Sequence, residues 1–176
     1  MTEVTRRVVV IHEPYRATVE SESIAMPAPG EVLVTAEWGA VSPGSESLVY
    51  RGELPAELAL DDTIDALSDE LSDGGATDDG APPEGVSAAG GGFGGTDRTS
   101  DRGADARYPL RYGYTLTGRV SGCGEEVDVD RWLGRRVFAF APHATRAVLP
   151  VSALLPIPDD VETERATLYP AMETAL

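Results

Sequence analysis

Residues 72–106 hold Gly74-Gly75, Pro82-Pro83 and the run Gly90-Gly91-Gly92-Phe93-Gly94-Gly95 among scattered aspartates, with almost no large apolar side chain. Such a segment cannot bury enough apolar surface to offset the entropy of ordering its backbone, so disorder is expected there. It divides the 176-residue chain into two foldable stretches, 1–60 and 107–160, which must complete one another. With 41% hydrophobic residues, the chain can build one core but not comfortably two. The glycine run does not read as a phosphate cradle. No apolar strand precedes it, no amphipathic helix follows it, and Gly-Lys-Ser/Thr is absent.

Both foldable stretches read as β-rich. Arg7–Ile11 is an apolar β-branched run, Ala17–Glu20 alternates, and Glu31–Trp38 follows the turn Pro27-Ala28-Pro29-Gly30 as a strong strand. Beyond the glycine-rich segment, Tyr114–Val120, Arg136–Ala141 and Thr145–Pro150 carry the same signal. Short strands parted by Pro/Gly turns predict a barrel or sandwich. Ile64, Leu67 and Leu71 recur at helical spacing behind an aspartate cap, which predicts a short helix over 61–71. Val161–Leu168 is helical in spacing, Tyr169-Pro170 interrupts it, and Ala171–Leu176 starts a new helical pattern, so 161–176 is expected to be helical in character.

Charge removes several function classes. There are 30 acidic and 14 basic residues, every basic one an arginine, for a net charge of −16. Nucleic acid and anionic membranes need basic patches and are disfavoured as partners. Asp61–Ala106 alone holds 12 acidic and 2 basic residues, so the foldable part is only moderately acidic. The acid-rich, lysine-free composition resembles that of halophilic, salt-loving archaea, whose charged surfaces keep proteins soluble in concentrated salt; an arginine-favouring GC-rich genome accounts for part of it. No apolar run approaches the ~18–20 residues of a membrane span, and Met1–Arg7 is followed by too few apolar residues for a secretory core, so a cytoplasmic location is expected. Cys123 is the only cysteine, which excludes an internal disulfide and a multi-cysteine zinc lobe.

Five pieces in order resemble the medium-chain dehydrogenase/reductase superfamily, the zinc alcohol dehydrogenase-like proteins. Pro29–Val34 is similar to the family's approach to its catalytic domain, and Gly44–Gly52 to its Cys-Gly-Ser/Thr-Asp-x-x-x-x-x-Gly stretch. Tyr108–Val120 resembles Phe-Pro-x-x-x-Gly-His-Glu-x-x-Gly-x-Val, and Leu133–Val137 the Gly-Asp-Arg-Val strand start. Leu154–Pro158, with the Glu-Arg-Ala and Glu-Thr-Ala that follow, resembles the approach to the cofactor domain. The resemblance covers nearly everything outside the insertion. It implies a mainly β, GroES-like partly open barrel with short helices over 1–60 and 107–160, and a lead-in over 161–176 to a Rossmann domain that the chain does not contain. It further implies NAD(P) for the complete enzyme, no cofactor site in this chain, and a chain that by itself neither binds a nicotinamide nor turns over. The partners implied are a small-molecule alcohol, aldehyde or ketone, a missing or separate Rossmann domain, and further copies in a homo-oligomer. A free-standing binding module and one half of a split enzyme are the rival expectations.

The departures from the family pattern bear on the chemistry. Pro43 falls where the first zinc-binding cysteine stands, Tyr114 at the ligand histidine and Thr115 at the adjacent glutamate, so the resemblance implies no zinc. The Ser-Pro-Gly-Ser-Glu form resembles the zinc-independent, bacteriochlorophyllide dehydrogenase-like subset. Without a Lewis acid, a hydroxyl or imidazole must handle the substrate's proton. Ser45 matches the family's proton-relay hydroxyl, Tyr114 could present a phenol near the old metal position, and His143, between Pro142 and Ala144, could face the cleft. The plainer readings are a turn-capping Ser45, a half-buried strand Tyr114 and a loop His143 with no identifiable partner. Glu46 reads as a surface or helix-start residue, His12 as a strand-end residue, and Trp38 and Trp132 as core or turn aromatics.

Overall fold

The computed structural model of the protein describes residues 3–53 and 108–173, so the helix expected over 61–71 and the insertion over 72–106 lie outside the described residues. Val32, Leu33 and Val34 are consecutive and all buried in β3 (Glu31–Trp38). A strand this deeply buried must also pair the backbone groups along both of its edges. β4 (Leu116–Cys123) pairs with one edge and β6 (Arg146–Pro150) with the other, both antiparallel. β5 (Arg136–Ala139) and the two-residue β7 (Leu155–Pro156) complete a five-stranded sheet of order β6-β3-β4-β5-β7. β1 (Glu3–Glu13) and β2 (Arg16–Ala25) form a separate hairpin, attached through isolated bridges at Val8–Ala144 and Ile11–Leu110. Neither sheet closes on itself, and the result is the partly open, mainly β architecture expected from the sequence.

The helical parts are short. α1 (Ser45–Arg51) leads into a left-handed Gly52, α2 (Val129–Trp132) is one turn capped by the Asp128 carboxylate on the Arg131 amide, and α3 (Tyr169–Glu173) ends the described chain. Tyr169-Pro170 therefore opens a helix where the sequence suggested a break. A proline in the first turn gives up an amide that has no intrahelical partner in any case. The principal core gathers Val32, Val34, Leu116, Val120, Val137 and Leu149 under Trp132. A second cluster of Ile11, Val49 and Tyr112 seats α1, and a third joins Phe138, Phe140 and Ile157 with Tyr114 and Tyr169 packed on it.

Antiparallel register decides where the loops emerge. Trp38 at the end of β3 pairs with Thr117 near the start of β4, Leu116 pairs with Ala139 at the end of β5, and Thr35 pairs with Arg146 at the start of β6. Segments 39–46, 111–115 and 140–145 thus leave one end of the sheet together. They come from parts of the chain that are far apart in sequence.

The hairpin is tied to the second of these segments by Glu22, which accepts from Arg6 Nε at 2.8 Å and from Arg111 Nε at 3.1 Å. Burial pushes the Glu22 carboxyl up, but the hydrogen bonds from Arg111 and Arg6 and their charges outweigh it and leave the group below its usual value. A depressed folded pKa gives stability that is present above the unfolded value and is lost as pH falls through the folded one. Glu22→Gln is expected to cost about 1 kcal/mol at pH 7, with the difference from wild type shrinking toward pH 3. Urea unfolding at the two pH values measures it.

Candidate functional site

Ser45 and Glu46 occupy the first turn of α1, and their position is set by what grips that helix. The Tyr108 hydroxyl donates to the Val49 carbonyl, and the Tyr50 hydroxyl donates to the Tyr15 carbonyl at 2.7 Å in the tip of the β1–β2 hairpin. Among the described residues no side chain caps the helix start. Instead Glu46 Oε1 accepts the Ser42 amide at 3.2 Å, a carboxylate reaching back to the turn before its own helix. Glu46 is only 8% exposed, and a carboxylate so enclosed needs a second partner. His143 supplies it, with Nε2 2.7 Å from Glu46 Oε2.

The imidazole is held from several directions. The His143 carbonyl accepts the Val9 amide at 2.9 Å, and the His143 amide donates to the Tyr112 carbonyl at 3.3 Å. Gly113 makes the room. Its φ of +131° suits glycine alone, and a Cβ there would stand 2.7 Å from His143 Cδ2. This turn also explains why β4 begins at Leu116 and not at Tyr114 as the sequence suggested, leaving Tyr114 and Thr115 in the loop that faces α1.

A carboxylate beside Nε2 favours the proton on that nitrogen and leaves Nδ1 for other partners. Nδ1 faces Gly39, where an added Cβ would lie 3.5 Å away. His143 also lines a cleft of about 310 Å³ with Trp38, Gly39, Thr115, Pro142 and Thr145. Beside the pair, Ser45 Oγ makes long contacts to Tyr114 Oη at 3.4 Å and to Ser42 Oγ at 3.5 Å. Burial pushes the Tyr112 phenol up, and the nearby Tyr114 and Glu46 add to the shift, so Tyr112 stays protonated at neutral pH.

The structure therefore brings Ser45 and Tyr114 together and joins His143 to Ser45's neighbour, Glu46. Of these, only His143 lines the cleft. Two readings of single residues change. His143 has a partner, and Glu46 keeps its helix-start place but is buried in the site and not on the surface; the pair is separated by 97 positions, so no local pattern could reveal it. Trp38 is half exposed on the cleft wall, whereas Trp132 is in the core. His12 stays apart, bonded on the hairpin to Thr18 Oγ1 at 2.8 Å and Glu20 Oε1 at 2.9 Å.

Catalytic zinc needs about three protein ligands, and among the described residues no three His, Cys, Asp or Glu side chains converge. One imidazole and one carboxylate, already bound to each other, do not fit that ion. Nor do the described residues contain a glycine-rich strand-turn-helix that would fit a nicotinamide dinucleotide.

No family model and no curated protein matches the sequence. Several solved structures do match in shape. A candidate NADPH:quinone reductase from Bacillus thuringiensis superposes with a TM-score of 0.61 at 16% identity, covering 98% of this chain and 39% of that one. An Escherichia coli CFT073 protein described as a short chain alcohol dehydrogenase, solved with NADH, gives 0.57 at 17% identity, covering 93% and 42%. An alcohol dehydrogenase superfamily protein from Novosphingobium aromaticivorans gives 0.54 at 20% identity, covering 90% and 36%. This is the GroES-like fold of the medium-chain dehydrogenase/reductases. The chain spans about two fifths of the length of these structures. Within this GroES-like domain the Glu46–His143 pair lies between the start of α1 and the β5–β6 loop. Among its described residues, no helix is long and apolar enough to cross a membrane.

Proposed function

We propose that the protein is the substrate-side domain of an NAD(P)-dependent oxidoreductase acting on an alcohol, aldehyde or ketone, and that it handles the substrate's proton without zinc. The observation that carries this reading is the 2.7 Å Glu46–His143 pair, whose imidazole also lines the cleft. A nicotinamide held by a second domain would supply or accept the hydride. This chain's part is the proton. In reduction, His143 Nδ1–H hydrogen-bonds the carbonyl oxygen in the cleft and releases its proton to the alkoxide, while Glu46 fixes the ring and faces its positive charge. In oxidation the same nitrogen takes the proton from the alcohol. The Ser42, Ser45 and Tyr114 hydroxyls, spaced 3.5 and 3.4 Å apart beside Glu46, offer a path for proton exchange with solvent. The fold match to structures described as alcohol dehydrogenase and NADPH:quinone reductase supports the reaction class.

The test is to fuse the chain to a nucleotide-binding domain from one of the superposed structures. The fusion is expected to oxidise NADPH or NADH in the presence of aldehydes or ketones, with no loss of rate on chelator treatment, while the unfused chain oxidises neither nucleotide. A folded, nucleotide-binding fusion that turns over no alcohol, aldehyde, ketone or quinone would overturn the reading. Stoichiometric zinc in the purified chain would overturn its metal-free part.

A further inference from the structure

The corner where α2 runs into β5 carries a second cavity, about 480 Å³, that the proton chemistry does not use. Four arginines line it, Arg119, Arg131, Arg135 and Arg136, against a single carboxylate, Asp159. In a chain of net charge −16, this is a concentration of positive charge against the general trend.

Backbone hydrogen bonds make the corner rigid. The Gly134 amide donates to the Val120 carbonyl at 2.8 Å, the Val120 amide to Arg135 at 3.0 Å, the Arg135 amide to Trp132 at 3.0 Å and the Ile157 amide to Arg136 at 3.0 Å. Two of the guanidiniums are anchored. Arg136 donates to the Val161 carbonyl at 2.7 Å and the Pro158 carbonyl at 2.9 Å, and Arg119 donates to Glu37 at 2.8 Å and the Gly134 carbonyl at 3.2 Å. The other two are different. Arg131 rests against the Trp132 ring, 5.4 Å from its centroid, and neither it nor Arg135 has a carboxylate partner among the described residues, as is also true of Arg7 and Arg146 outside the cavity, whereas Arg6, Arg16, Arg51, Arg111 and Arg165 each do. Asp159 is fully exposed and 3.8 Å from Arg136, too far and too solvated to neutralise the group.

We propose that this cavity binds a small molecule through a phosphate or diphosphate group. Like charges held around one concavity repel each other, and an anion between them relieves that repulsion. Guanidinium forks match phosphate oxygens two at a time, which a monovalent halide cannot exploit. The volume lies within the ~300–1,000 Å³ of small-ligand sites. Leu133 and Pro158 on the wall offer apolar surface for the rest of the molecule. The acidity of the whole chain repels nucleic acid at long range, so the local charge favours a small anion over a polymer.

Titration of the 176-residue chain with pyrophosphate at constant ionic strength, followed by calorimetry and amide shifts, tests this. Saturable binding at sub-millimolar concentration is expected, with shifts centred on residues 131–136 and weaker binding of inorganic phosphate. Arg131→Gln with Arg135→Gln should weaken pyrophosphate binding at least tenfold while leaving the melting temperature near wild type. If the double variant does not fold, Arg135→Gln alone, at an exposed side chain, is expected to weaken binding at least threefold. Arg165→Gln, elsewhere on the surface, should change nothing. Pyrophosphate binding no tighter than chloride, binding unaffected by the arginine variants, or shifts centred elsewhere would each overturn the proposal.

Discussion

Gly118→Ala is expected to destabilise the protein by about 4 kcal/mol, enough to leave roughly a sixth of it unfolded at 37 °C if its total stability lies at the low end of the ~5–15 kcal/mol usual for a domain. Gly118 lies in β4 between Ala36 of β3 and Val137 of β5. An added Cβ would stand 2.1 Å from the Thr35 carbonyl oxygen and 2.9 Å from Ala36 Cα, both backbone atoms of a central strand. Overpacking against side chains costs about 1–3 kcal/mol because rotamers give way. Here no rotamer can relieve the contact, and β3 must shift between two neighbours. Gly122→Ala is the control. Its Cβ would meet Leu33 Cβ at an ordinary 3.6 Å, and its stability should fall within about 0.5 kcal/mol of wild type. Urea unfolding followed by circular dichroism separates the two. A Gly118→Ala protein as stable as wild type would mean that β3 and β4 do not pair in this register, and the convergence of the site loops would fall with it.

That register shows what the sequence could and could not disclose. Glu31–Trp38 was legible to the residue, because a Pro/Gly turn precedes an apolar run that only a doubly flanked strand can bury. The ordered family motifs placed Ser45 and Tyr114 at one site, and the structure has their oxygens 3.4 Å apart. α1 shows in the sequence only as the helix-start reading of Glu46, because a seven-residue helix beginning Ser-Glu-Ser has too little periodicity to register and owes its position to Tyr108 and Tyr15. β4 starts two residues later than its apolar pattern suggests, since the turn at Gly113 depends on an imidazole contributed by a loop thirty positions later. Glu46 and His143 were unreadable as a pair for the same reason. The arginine corner was equally hidden, because Arg119 on β4 reaches Arg131–Arg136 only through strand pairing.

The second large effect is predicted at that pair. His143→Ala leaves a carboxylate that is 8% exposed with the Ser42 amide as its remaining partner among the described residues, and stripping a buried carboxylate of its close hydrogen-bond partner costs about 3 kcal/mol of folding stability. Glu46→Ala is milder, about 1–2 kcal/mol, because the His143 side chain is 18% exposed and water can take over its hydrogen bond. The double variant should be no less stable than His143→Ala alone, the signature of two residues acting on each other. In a catalytically active fusion, His143→Ala should lower kcat by about 10²–10⁴ with KM changed little, the usual range for loss of a general acid-base group. Glu46→Gln, which preserves volume and one acceptor oxygen, should lose less and retain most of the stability. Urea unfolding and steady-state kinetics at pH 7 read the two effects separately. Additive stability losses would dissolve the pair itself, whereas a coupled pair with unchanged kcat would keep the geometry and remove the imidazole from the chemistry. Because the stability cycle needs no cofactor or substrate, its outcome stands whichever way the activity falls.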